Sequence, residues 1–152
     1  MSKTNKTALQ KATDLLARQD QSSTVLRRKL LFKNYDAAEV DEAIDKLKKY
    51  NYLDDEETCR QQFKSFYAEG RLSVRQIVAK LIQRGFDKDF IEQLIPDDSD
   101  EHERFAAERL LKKKFTCTDD KTFKAKAWQF LAARGFDGDI ISSAVENFLQ
   151  NR

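Results

Sequence analysis

The side chains best placed to do chemistry are cations, and they recur. "VLRRKLLFK" supplies Arg27, Arg28, Lys29 and Lys33; "SVRQIVAKLIQR" supplies Arg75, Lys80 and Arg84; "KTFKAKAWQFLAAR" supplies Lys121, Lys124, Lys126 and Arg134. Lys112, Lys113 and Lys114 form the densest run, and Lys46, Lys48 and Lys49 a second spot. Guanidinium and ammonium groups bind phosphate oxygens or carboxylates. Any one of them is most simply a solvated residue. Their return on matching stretches points instead to an anionic partner, either a phosphate backbone or an acidic protein surface.

Other chemistry finds little to work with. Nucleophilic, acid–base or metal catalysis needs convergent groups, and His102 is the only histidine, set in the acidic stretch "PDDSDEHE". It reads there as an exposed linker residue. Asp54 and Asp55 could be imagined as a metal pair, but beside a helix start carboxylates are caps. The four glycines make no phosphate-cradling motif. Cys59 and Cys117, 58 residues apart, read as separate reduced thiols. Trp128 and the phenylalanines fall at helical spacing, where core packing is the default. No enzyme activity, metal or cofactor is expected.

Composition narrows the class further. The chain has 152 residues, 40% hydrophobic and 36% charged, with a single proline. That favours helices joined by short loops over an all-β sandwich. The net charge of +2 is uneven: +4 over residues 1–50, −3 over 51–98 and +1 over 99–152. Bulk charge is too small to bind nucleic acid, so any such site must be a local patch. "MSKTNKTALQ" has no apolar core of a signal, and nowhere do 18 apolar residues run together, which predicts a cytoplasmic chain with no membrane association.

The elements that must carry the cations are written in a repeated phrase. "LIQRGFDKDFI" and "LAARGFDGDII" agree at seven of eleven positions. Each predicts one helix ending and another beginning. Gly85 or Gly135 turns the chain in a left-handed conformation, with Arg84 or Arg134 at the negative end of the helix dipole. Asp87 or Asp137 then caps the next helix. Phe86 with Ile91, and Phe136 with Ile141, form hydrophobic staples. "LLFKNYDAAEV" is a third copy, with Asn34 in the glycine position, Tyr35 and Val40 as the staple, Asp36 as cap and Glu39 as a capping-box partner. The three turns stand 51 and 50 residues apart, a period that marks tandem units.

Apolar residues at helical spacing flank each turn: Leu26 and Leu30 before the first and Val40, Ala43, Ile44 and Leu47 after it, with similar stripes around the others. A further helix leads each unit, carrying Leu9, Ala12, Leu15 and Leu16; then Cys59, Phe63, Phe66 and Tyr67; then Phe105, Ala106, Leu110, Leu111 and Phe115. Asp54 is the expected cap of the second leading helix, and Ser73 with Gln76 a capping box for the helix after it. The expected fold is all-α: a flexible segment 1–7, then three-helix repeats over 8–50, 51–97 and 98–152, forming an elongated, curved, solenoid-like arm. Helix-turn-helix base reading is disfavoured, because the helices that would enter the groove begin with acidic residues in "DKDFIEQ" and "DGDIISS".

Three blocks carry a resemblance. "DQSSTVLRRKL", "NYLDD" and "IVAKLIQRGF" stand in the order of blocks typical of the RecX family of regulatory proteins, and "FKAKAWQFLAARGFDGDIISSAVENF" is similar to that family's last unit. Asn51 replaces a usual glycine, Thr58 a usual core phenylalanine, and "RLSV" a Gly-x-Gly-Pro turn. The resemblance implies a monomeric, non-enzymatic protein that binds the RecA filament on single-stranded DNA. It implies inhibition of recombinase, ATPase and coprotease activity in DNA repair and the SOS response, and weak binding to single- and double-stranded DNA. The residues read by themselves leave two alternatives: a general nucleic-acid-binding helical module, or a solenoid adaptor for another protein.

Overall fold

The repeated turns organise the whole chain. The computed structural model describes residues 5–116 and 121–151; Cys117 and the first four residues of the N-terminal segment lie outside these. Among the described residues there are nine helices and no strand: α1 (Ala8–Arg18), α2 (Ser23–Phe32), α3 (Ala37–Lys49), α4 (Asp55–Glu69), α5 (Val74–Gln83), α6 (Lys88–Gln93), α7 (Ser99–Lys114), α8 (Phe123–Ala133) and α9 (Gly138–Gln150). They group as three tandem units of three.

All three predicted turns share one geometry. Asn34, Gly85 and Gly135 have positive φ of 69°, 91° and 86°. In each, the next residue's N–H reaches back to the third-last carbonyl of the helix: Tyr35 to Leu30, Phe86 to Leu81, Phe136 to Leu131. This double-bonded ending satisfies carbonyls that the helix itself leaves free. The same device closes α3, where Asn51 has φ 61° and Tyr52 N–H bonds Leu47 O.

The caps follow the expected rule only in part. Asp54 and Asp87 accept from the N–H groups of Glu57 and Phe90 at 3.1 Å each, and Ser73 with Gln76 forms the expected capping box. Asp36 and Asp137 occupy the cap position without a capping bond. Asp137 turns outward to Arg75 instead, 3.2 Å away. Glu39 accepts from the first N–H of α1, at Ala8, and so ties two helices together rather than closing its own.

Each unit has its own core. Leu26, Leu30, Val40 and Ile44 anchor the first; Phe63, Ile77, Leu81 and Ile91 the second; Leu111, Leu131, Ile141 and Val145 the third. The extensive helix-to-helix packing lies within units. Between units the joints are polar and formed by side chains at helix ends. The buried Ser22 hydroxyl, at the N-cap of α2, donates to Arg84 O at the end of α5; Ser73, at the N-cap of α5, does the same to Arg134 O at the end of α8. A carboxylate from the following unit's leading helix adds a second tie. Asp55 accepts from Ser23 N–H at 2.7 Å, and Glu103 accepts from Val74 N–H at 2.7 Å. Three small cores linked by such joints make a helical repeat arm.

Three sequence expectations need correction. The stretch "PDDSDEHE" is not a linker: α7 begins at Ser99, helped by acidic residues in its first turn. His102 therefore lies on a helix, with its side chain only 11% exposed. Phe105 is 59% exposed rather than core, because α7 turns Ala106 and Ala107 inward and lays the Phe105 ring over Gly70. Trp128 is 41% exposed; it lies across Gly138 at the start of α9 instead of entering the third core.

Candidate anion-binding surface

The helix that precedes each turn carries the recurrent cations, and its packing decides which of them stay available. Arg84 and Arg134 stand at the ends of α5 and α8 and are half-buried. The Arg84 guanidinium sits 4.9 Å from the centre of the Phe66 ring and donates to Gln62 at 2.8 Å. Lys80, one turn earlier, lies 5.2 Å from the same ring. In the third unit Arg134 sits 3.7 Å from the Phe130 ring, with Lys114 at 6.0 Å. Each pair puts two positive charges beside one aromatic ring, which steadies the cations.

Two other candidates are held by acids. Arg27 bonds Asp41 at 2.8 Å, which keeps the Asp41 carboxyl below its usual range. Arg75 reaches Asp137 across the second joint. Both pairs are exposed, so an incoming anion can compete for the cations at small cost. Arg28, Lys29, Lys33, Lys112, Lys113, Lys121 and Lys124 are exposed and enter no ion pair among the described residues. Lys126 is also exposed.

The structure brings some of these together. Lys29 of the first unit and Arg84 of the second line one recess at the first joint, beside Ser22 and Gln62. Lys80 joins Arg84 through Phe66, and Lys114 joins Arg134 through Phe130. Arg28, Lys33, Lys112, Lys113, Lys121 and Lys124 are spread over α2, the end of α7, and the start of α8 and the turn before it, with no shared partner.

Sequence reasoning missed an aromatic component. Phe32 is 88% exposed at the end of α2, one helical turn from Arg28 and flanked by Lys29 and Lys33. Tyr50 and Tyr52 are also largely exposed, beside a groove of about 510 Å³ floored by Leu9, Leu16 and Leu47. Phe32 falls next to Leu31 in a run of apolar residues, and only the phase of Leu26 and Leu30 marks it as facing outward.

Asp54 and Asp55 are used structurally, as the cap of α4 and the tie to Ser23. No helix among the described residues is long and apolar enough to cross a membrane.

Comparison with known proteins agrees with this architecture. The chain matches the family description of the first three-helix domain of RecX over residues 8–47 and of the third over residues 103–145. It is 35% identical over 127 residues to the regulatory protein RecX of Clostridium botulinum (strain Eklund 17B / Type B), a match covering 80% of this chain and 58% of that protein. The chain thus spans well under two thirds of that relative's length. It is 31% identical over 147 residues to the regulatory protein RecX of Neisseria meningitidis serogroup B, covering 95% of this chain and 93% of the relative. The corresponding protein of Vibrio parahaemolyticus is 34% identical over 137 residues, with coverage of 88% and 86%. In fold, the chain resembles the crystal structure of RecX from Lactobacillus salivarius with a TM-score of 0.74 at 19% identity, covering 93% of this chain and 94% of that one. A second crystal structure of a regulatory protein RecX gives 0.81 at 18% identity, covering 91% and 71%. Three helical units, each folded around a left-handed turn, and relatives 31% and 34% identical that match 95% and 88% of the chain place it in the RecX family of regulatory proteins.

Proposed function

We propose that the chain regulates the RecA recombinase by lying along the RecA filament and opposing its activity, as a cytoplasmic monomer without catalytic chemistry of its own. The observation that carries this reading is the return of exposed cations on the second helix of each unit of a family member built as a helical arm. An arm of jointed units can follow a helical groove, and cations at matching positions can meet a surface that repeats its acidic groups. The experiment is DNA-dependent ATP hydrolysis and strand exchange by RecA, with this protein titrated in. Inhibition at amounts stoichiometric with RecA is the expected result. No effect at low salt removes the proposal.

A second reading, direct binding to single-stranded nucleic acid, is favoured by one observation: the exposed Phe32 ring among Arg28, Lys29 and Lys33. Aromatic faces between cations stack bases while the cations hold phosphates. This reading predicts binding to DNA without RecA that weakens steeply with salt. Flat salt dependence counts against it.

A further inference from the structure

The two joints of the arm differ at one point. At the first joint the tie to α2 is Asp55, and the residue before it, Asp54, caps its own helix. At the second joint the tie to α5 is Glu103, and the residue before it is His102. Both side chains are only 11% exposed.

His102 is clamped. Its ring stacks on Tyr67 with centroids 3.7 Å apart, and its Nε2 lies 2.7 Å from the Tyr67 carbonyl oxygen near the end of α4. A carbonyl only accepts, so Nε2 carries the proton. Arg109 closes the Glu69 carbonyl in the same way, at 2.8 Å. Helix α7 thereby satisfies carbonyls that the end of α4 leaves free, while Glu103 satisfies the first N–H of α5.

That leaves Nδ1 of His102 buried, without a hydrogen-bond partner, and 3.6 Å from Oε1 of Glu103. With a neutral ring and an ionised carboxylate, a buried lone pair faces a buried negative oxygen. That arrangement repels and leaves a polar atom unpaired. One added proton resolves it from either side. On the carboxyl it donates to Nδ1; on the ring it makes an imidazolium that pairs with the carboxylate. Either form can close 3.6 Å toward hydrogen-bond distance, roughly 2.8 Å, and the imidazolium–carboxylate form is charge-assisted.

We propose that His102 and Glu103 hold one proton between them, and that this proton closes the joint between the second and third units. When the pair releases it to solvent, the joint loosens, while the first joint, tied by Asp55, stays as it is.

The surroundings agree. Facing Glu103 are Asp100 from the first turn of α7, Arg75 from α5 and Asp137 ahead of α9, while Lys88 and Glu92 of α6 line the same recess. Tyr67 of α4 completes the set, its hydroxyl pushed up by burial and by Asp98, Glu103 and Glu101. Burial, opposed by the Val74 N–H and Arg75 and assisted by Asp137 and Asp100, pushes the Glu103 carboxyl from 4.5 up to about 7. A carboxyl raised on folding contributes stability that is complete below its unfolded value and lost as pH rises through its folded value. The joint is therefore tightest in mild acid and loosens through neutrality.

His102 is the only histidine in the chain, so its ring nitrogens can be read by NMR without ambiguity. The experiment follows the His102 ring and the exchange of the Val74 and Arg75 amides between pH 6 and 8. A single step is expected in the ring, with Val74 exchange rising about tenfold beyond its intrinsic rate and Ser23 and Thr24 unchanged. Glu103→Gln can keep its carbonyl oxygen as the acceptor for Val74 N–H but takes up no proton, so it abolishes the exchange step. His102→Gln keeps a donor to Tyr67 but takes up no proton, so it moves the midpoint. Wild-type Val74 exchange without a step overturns the proposal. So does a step that survives in Glu103→Gln, or one whose midpoint is unmoved in His102→Gln.

Discussion

The Ser22 hydroxyl donates to the backbone carbonyl of Arg84, from the N-cap of one unit's second helix to the C-cap of the next unit's. The same oxygen accepts from Val25 N–H at 3.2 Å and so also caps its own helix. One side chain thereby starts a helix and fastens two units.

Ser22→Ala removes both bonds at once. We expect a loss of about 1–3 kcal/mol in urea unfolding, and faster amide exchange at the start of α2 and the end of α5 together. A change confined to α2 would show that the hydroxyl acts only as a cap.

The left-handed turns are not interchangeable. A Cβ on Gly85 would stand 2.7 Å from Thr24 Cβ, and one on Gly135 would stand 3.0 Å from Arg75 Cβ. The Asn34 turn is exposed. Asn34→Gly should therefore leave the melting temperature nearly unchanged. Gly85→Asn, an equivalent swap in backbone terms, should cost about 2–4 kcal/mol, because overpacking adds to left-handed strain. Equal effects at the two sites would contradict the close approach at the joint.

Charge reversal tests the binding surface without disturbing the fold. Arg28→Glu, Lys33→Glu and Lys124→Glu alter exposed residues that enter no ion pair among the described residues. The triple variant should keep its helicity and stay within about 1 kcal/mol of the wild type, while inhibition of RecA falls tenfold or more. Arg75 is the poorer choice, since its reversal would set a carboxylate beside Asp137 at the second joint.

Phe32→Ala separates the two readings of function. With its ring 88% exposed, the substitution should leave thermal unfolding unchanged. If the ring stacks bases, single-stranded DNA affinity drops by about 1–3 kcal/mol with the salt slope retained. If binding is purely electrostatic, affinity does not move.

Cys59 should be inert in the native protein. It is fully buried, and burial pushes its thiol up to about 11. In a Cys117→Ser background at pH 8, labelling by a maleimide should be slow in buffer and fast in urea. Rapid native labelling would mean that the second unit opens readily.

The turns were legible in the sequence because their signals are local. A residue tolerant of positive φ, an aromatic and an aspartate in succession suffice to end one helix and begin another, and Asn34, Gly85 and Gly135 all obey. Which cations are held was not legible, because Arg27–Asp41 and Arg75–Asp137 join positions 14 and 62 residues apart. His102 was misread for a related reason. Its acidic neighbours resemble a solvated linker, yet the same acids favour the start of α7, and that extra turn carries the ring back onto Tyr67. Asp137 likewise gives up its capping bond because Arg75, 62 residues away in sequence, stands opposite it in space.

The joints also have a direction. The serine and carboxylate fastenings run from the second helix of one unit to the turn and leading helix of the next, so at each joint one unit offers a peg and the next a socket. Lengthening such an arm asks for no new kind of contact, only another copy that starts its second helix with serine and turns on glycine. Reach then changes in whole steps, by duplication rather than by gradual insertion, as a ruler grows by added segments.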